Sequence, residues 1–84
     1  MKFIEKSLTE NGVLAMLGRT DVYHHLREAD SQTLYARHAR KDPDLGVRLY
    51  CIARLTDRRV LGYLARMDRS LRVRDAAQRR LVEV

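Results

Sequence analysis

Apolar residues recur at three- and four-residue spacing along this chain, and no stretch alternates apolar and polar positions as a half-buried strand would. Good helix formers (Ala, Leu, Arg, Met and Glu) fill the positions between them. Helix starts follow from the residues that cap them. Thr20 and Asp21 precede the spaced apolar set Val22, Tyr23 and Leu26, and Ser31 precedes Leu34, Tyr35 and His38. Asp42 precedes Pro43, whose missing N–H suits a first helical position. Thr56 or Asp57 precedes Val60, Leu61 and Leu64, and Ser70 precedes Leu71, Val73 and Ala76. With one or two turns near the N-terminus, the pattern predicts an all-α chain of about six short helices.

The pattern also repeats. Residues 42–55, DPDLGVRLYCIARL, meet residues 68–81, DRSLRVRDAAQRRL, at an offset of 26. Ala39, Arg40, Asp42, Leu45, Val47, Arg48, Arg54 and Leu55 recur as Ala65, Arg66, Asp68, Leu71, Val73, Arg74, Arg80 and Leu81. Similar residues extend the match: Leu34 with Val60, Tyr35 with Leu61, Cys51 with Ala77. A period of this length in a helical chain predicts stacked helix pairs, none of which buries its apolar face alone. The wheels of the two copies differ. Around 44–55, Val47, Tyr50, Cys51 and Leu55 lie on one side and Leu45, Leu49 and Ile52 on the other, so that helix is predicted to pack on both sides. Around 70–83, Val73, Ala76, Ala77 and Leu81 face one way, while Asp75, Gln78 and Arg79 face the other, as in the last helix of a stack.

The shared pattern L-x-x-x-A-x-x-D-x-x-x-x-V-R-x-x-x-x-x-x-x-L resembles HEAT-like helical repeats, and also the leucine-rich repeat variant, over about residues 33–83. The resemblance implies a short right-handed α-solenoid of stacked antiparallel helix pairs. It implies that Asp42 and Asp68 end first helices and accept hydrogen bonds from turn amides, and that Arg48 and Arg74 stack in a ladder between repeats. These are structural roles. Residues 1–30 depart from the pattern, since the offset sets Asp21 opposite Val47 and Val22 opposite Arg48. The expected organisation is a single domain over 1–84: a degenerate capping segment at 1–30, then repeats at 31–56 and 57–83.

Composition narrows the class. A chain of 84 residues with 45% hydrophobic content suits one small globular domain. No apolar run is long enough for a membrane span, and Glu5, Glu10 and Asn11 interrupt the beginning of the chain where a secretory signal would be apolar. A lone cysteine, Cys51, allows no internal disulfide, which points to a reducing, cytoplasmic setting. Net charge is +6, unevenly placed: residues 1–53 balance to +1 and residues 54–84 to +5. A basic half invites an acidic partner. Arg58, Arg59, Arg66, Arg69, Arg72, Arg79 and Arg80 fall outside the predicted core and form the candidate basic interaction surface.

Candidate chemistry is thin. His24 and His25 are adjacent, so on a helix they point about 100° apart and do not share an ion easily. His38 and Cys51 complete no metal-ligand spacing with them. Cys51 aligns with Ala77 at an inward position, where a buried thiol is inert. Asp42 and Asp44 suit helix capping better than acid–base work. No catalytic residue, cofactor or metal is expected. Four Tyr, one Phe and no Trp supply no run of stacking platforms for nucleic acid, although backbone binding through arginines stays open. The apolar segment Val13, Leu14, Met16 and Leu17 is a capping helix of the core or else a homodimer surface. The expected function is a small non-enzymatic module or adaptor for a protein partner, with sequence-independent nucleic-acid binding as the alternative.

Overall fold

The computed structural model describes the backbone of residues 14–84 and the side chains of residues 21–84. Among the described residues there are five helices and no strand: α1 (Leu14–Ala29), α2 (Gln32–Lys41), α3 (Leu45–Ile52), α4 (Arg58–Met67) and α5 (Leu71–Glu83). A sixth element before α1 would lie outside the described residues, as do the side chains of Val13, Leu14, Met16 and Leu17. Thr20 and Asp21, read as a helix start, lie inside α1. Capping residues favour helix ends, but nothing in an exposed Ser, Thr or Asp stops a helix already under way. Asp30 ends it instead: its φ of 44° is left-handed backbone, which Asp tolerates better than most residues, and its amide donates to the Leu26 carbonyl at 3.0 Å.

The later helices start on side-chain caps. Ser31 Oγ accepts from the amide of Leu34, Asp57 from those of Arg59 and Val60, and Ser70 Oγ from that of Val73. The start of α3 differs from the sequence expectation. Its cap is Asp44, whose carboxylate accepts from Gly46 and Val47, while Asp42 closes α2 and Pro43 sits in the turn. Two acidic residues in three positions let one finish a helix and the other start the next. Asp42 Oδ1 binds them together by accepting the Asp44 amide at 2.8 Å.

α2 packs on α3 and α4 on α5, each pair joined by a turn of three residues, and α3 and α5 lie against each other. One hydrophobic core serves all of them: Leu26 from α1, Tyr35 and Ala39 from α2, Val47, Cys51 and Ile52 from α3, then Leu55, and Leu61, Leu64, Ala65, Val73 and Ala77 from α4 and α5. Val47 and Val73, the repeat-related pair, are both sealed inside it. The two-sided pattern of α3 has its counterpart in packing, since Leu45 and Leu49 lie against the core on the side away from Val47 and Cys51. Burying such side chains stabilises by about 1.5–3 kcal/mol each before the entropy of ordering the chain is charged against them.

α1 covers the α2–α3 pair through two contacts. The Tyr35 hydroxyl lies 3.2 Å from the Leu26 carbonyl and 3.1 Å from Asp30 Oδ1 and shares its one proton between them. Burial first, then the hydrogen bond to Asp30, raises the Tyr35 phenol above its usual value, so it remains a neutral donor. Tyr23 of α1 meets Tyr50 of α3 edge-on, ring centres 5.0 Å apart, and the Arg54 guanidinium lies 4.1 Å above the Tyr50 ring. Gly46 makes room here. A Cβ at that position would stand 3.0 Å from the Tyr23 hydroxyl and 3.1 Å from Asp44 Oδ1, so those side chains would have to give way by a few tenths of an ångström.

Candidate functional site

The repeated charged residues build joints. Asp68 Oδ2 accepts the Ser70 amide at 2.9 Å, the same i-to-i+2 bond that Asp42 makes with Asp44. Arg48 reaches out of its own unit into the next. Its Nε donates to the Ala39 carbonyl at 2.7 Å, and its Nη2 is paired with Asp68 Oδ1 in a close, largely buried ion pair. Partial burial alone would raise the Asp68 carboxyl; the Arg48 hydrogen bond, the Ser70 amide and the charges of Arg48 and Arg69 outweigh it, and the group titrates below its ordinary value. Arg74 turns back on its own turn, donating to the carbonyls of Asp68 at 2.7 Å and Arg69 at 3.2 Å.

The seven arginines proposed as a basic surface divide. Arg58 is a clamp: its Nη1 donates to the carbonyls of Leu81 and Val84, at 2.9 and 3.2 Å. One repeat earlier Gln32 occupies the same place and does the same work, donating to the Arg54 carbonyl at 2.9 Å and accepting from the Thr56 amide. Arg80 Nε donates to the Leu55 carbonyl at 2.8 Å, and its Nη1 meets Glu83. Arg58 and Arg80 are therefore both engaged by backbone carbonyls. The pattern excluded them from the core because they are charged, but carbonyls at helix ends need donors and arginine supplies them. Arg79 pairs with Asp75 at 3.2 Å on the exposed face of α5. Arg59, Arg66, Arg69 and Arg72 are exposed.

The structure assembles a cationic groove that the charge map did not show. It runs between α2 and α4 as two depressions of about 380 Å³ each, which share Arg40. Gln32, Thr33, Ala36, Arg37, Lys41 and Asp57 line one, and Arg59, Val60 and Tyr63 line the other. Three of the four cations come from the half of the chain that is nearly neutral overall. Their signal was the match of Arg40 with Arg66 at the repeat offset, which marks the outer faces of α2 and α4 as equivalent. Tyr63 is 53% exposed and is the apolar landmark of this face.

The described residues gather no metal centre. No group of three or more His, Cys, Asp or Glu could hold an ion there. His24 and His25 are exposed, and His38 Nδ1 sits 2.9 Å from Asp42 Oδ2 in the α2–α3 turn. Cys51 is fully buried, and burial first, then the Asp42 charge, pushes its thiol up to about 11, against a smaller opposing pull from Arg54. No helix among the described residues is long and apolar enough to cross a membrane. Compared with family models, curated proteins and solved structures, the chain matches none.

Proposed function

We propose that this chain is a small non-enzymatic interaction module, a short right-handed α-solenoid of HEAT-like helix pairs that presents a preformed surface to a protein partner. The Arg48–Asp68 joint carries the reading. It links the second helix of one pair to the turn between the helices of the next, and each partner recurs at the repeat offset. Such a joint, together with a core shared between the pairs, holds exposed side chains at set positions without any ligand. Preformed surfaces lose little conformational entropy on binding, and their charges govern orientation and association rate.

The alternative is sequence-independent nucleic-acid binding through the same arginines. Two of those arginines are occupied by backbone carbonyls, and a third by Asp75, which leaves fewer to meet phosphate. Titrating a random DNA duplex across a salt series separates the two readings. The module reading expects no saturable duplex binding at physiological ionic strength. A log–log slope of about −0.9 per phosphate, summing over several phosphates, would establish the alternative.

A further inference from the structure

We infer that the groove between α2 and α4 docks an acidic protein segment bearing an apolar side chain, an inference that rests on the interaction-module reading above. The argument is one of compensation. Of the other arginines, Arg48 is tied to Asp68, Arg58 and Arg80 to carbonyls and Arg79 to Asp75, while Arg66, Arg69 and Arg72 are exposed and line neither depression. The four cations of the groove, Arg37, Arg40, Lys41 and Arg59, form no ion pair among the described residues. The groove's own carboxylate, Asp57, accepts the amides of Arg59 and Val60 with one oxygen, at 2.9 and 3.3 Å, and forms no ion pair with these cations.

The lining also holds apolar side chains, Ala36 in one depression and Val60 and Tyr63 in the other. That combination selects the occupant. Guanidinium forks grip carboxylates and phosphates alike, so charge alone does not choose. A nucleic-acid strand needs successive aromatic platforms or an uninterrupted cationic track. Here there is one exposed aromatic ring, and the cations are divided between two depressions rather than strung along a track. A peptide with glutamates flanking a leucine satisfies both parts: its carboxylates meet the cations, and its leucine covers Val60 and the Tyr63 ring.

Fluorescence anisotropy on the full chain tests this with three probes: a labelled peptide of glutamates and leucines, the same peptide with serines in place of leucines, and a random DNA duplex. The Glu–Leu peptide is expected to bind, the serine version about tenfold or more weaker, and Arg40→Glu/Arg59→Glu to weaken binding about tenfold or more. Both changed side chains are exposed, and circular dichroism checks that the helices remain. Arg69→Glu/Arg72→Glu, on the α4–α5 turn and α5, is the charge-matched control and should leave affinity within about twofold. Peptide binding lost in that control and retained in the groove variant overturns the groove while leaving the module intact. Duplex binding without peptide binding overturns both. Binding of neither probe, or equal binding of the leucine and serine peptides, also overturns the docking inference.

Discussion

The two helix pairs carry the same signature and complete it differently. In the second, Asp68 receives the Arg48 guanidinium from the unit before it. In the first, Asp42 has no such donor and is met by His38 from its own helix; the repeat places Leu64 at that position in the second unit. Tyr35 and Leu61 likewise occupy equivalent buried places, but only the tyrosine carries a hydroxyl, and it uses it to hold α1. On the far side, Leu49 and Ile52 of α3 correspond to Asp75 and Gln78 of α5, buried or half-buried in the one and exposed in the other. A repeat unit therefore has a common frame, the Asp turn and the inward valine, and side chains that vary with what lies next to it.

Replacing core side chains breaks the comparison most severely. Leu61→Ala should cost about 2–5 kcal/mol, and because one core serves both pairs, the urea transition should shift as a single step. Separate transitions for the two pairs would show that they do not depend on each other. Removing the joint comes next. Arg48→Met leaves Asp68 without its cation and should cost about 2–3 kcal/mol, whereas Arg74→Met, its repeat equivalent, should cost about 1 kcal/mol, since Arg74 donates only to turn carbonyls. Equal losses for the two would erase the distinction between a joint and a turn.

The same pair predicts an acid dependence. Asp68 titrates lower in the folded chain than in the unfolded one, so its contribution is fully present above the ordinary carboxylate pKa of about 3.9 and is lost as pH falls through the lower, folded value. That acid-side loss should flatten in Arg48→Met, measured as the thermal midpoint across the acid range. The smallest effect tests how the first pair differs from the second. Tyr35→Phe keeps the ring but removes the donor to Leu26 and Asp30, and should cost about 1 kcal/mol, read from chemical denaturation.

Periodicity was enough to place α2, α4 and α5 close to their ends, because Ser31, Asp57 and Ser70 are true caps in front of spaced apolar residues. It failed at α1, where Thr20 and Asp21 imitate a cap inside a continuous helix, and by two residues at α3, where Asp44 rather than Asp42 begins it. Both errors have one source: capping chemistry is local, and a side chain able to cap can also be carried within a helix or finish the previous one. Counting charge by halves of the chain drew attention to the C-terminal arginines, yet Arg58 and Arg80 are engaged by backbone carbonyls, and the groove takes most of its cations from the other half.

By itself, then, the order of residues determined the helical period, the 26-residue repeat and the inward positions from Val47 to Ala77. These depend on spacing along one helix, and spacing is written in the chain. Only the tertiary structure decided which charged side chains are occupied and which are left to face outward together. Arg48 finds Asp68 twenty residues away, and Arg40 and Arg59 come to line one depression, because α2 and α4 lie on the same side of a shared core. Ion pairing depends on distance through space, falling off over a few ångströms, and no linear pattern encodes it.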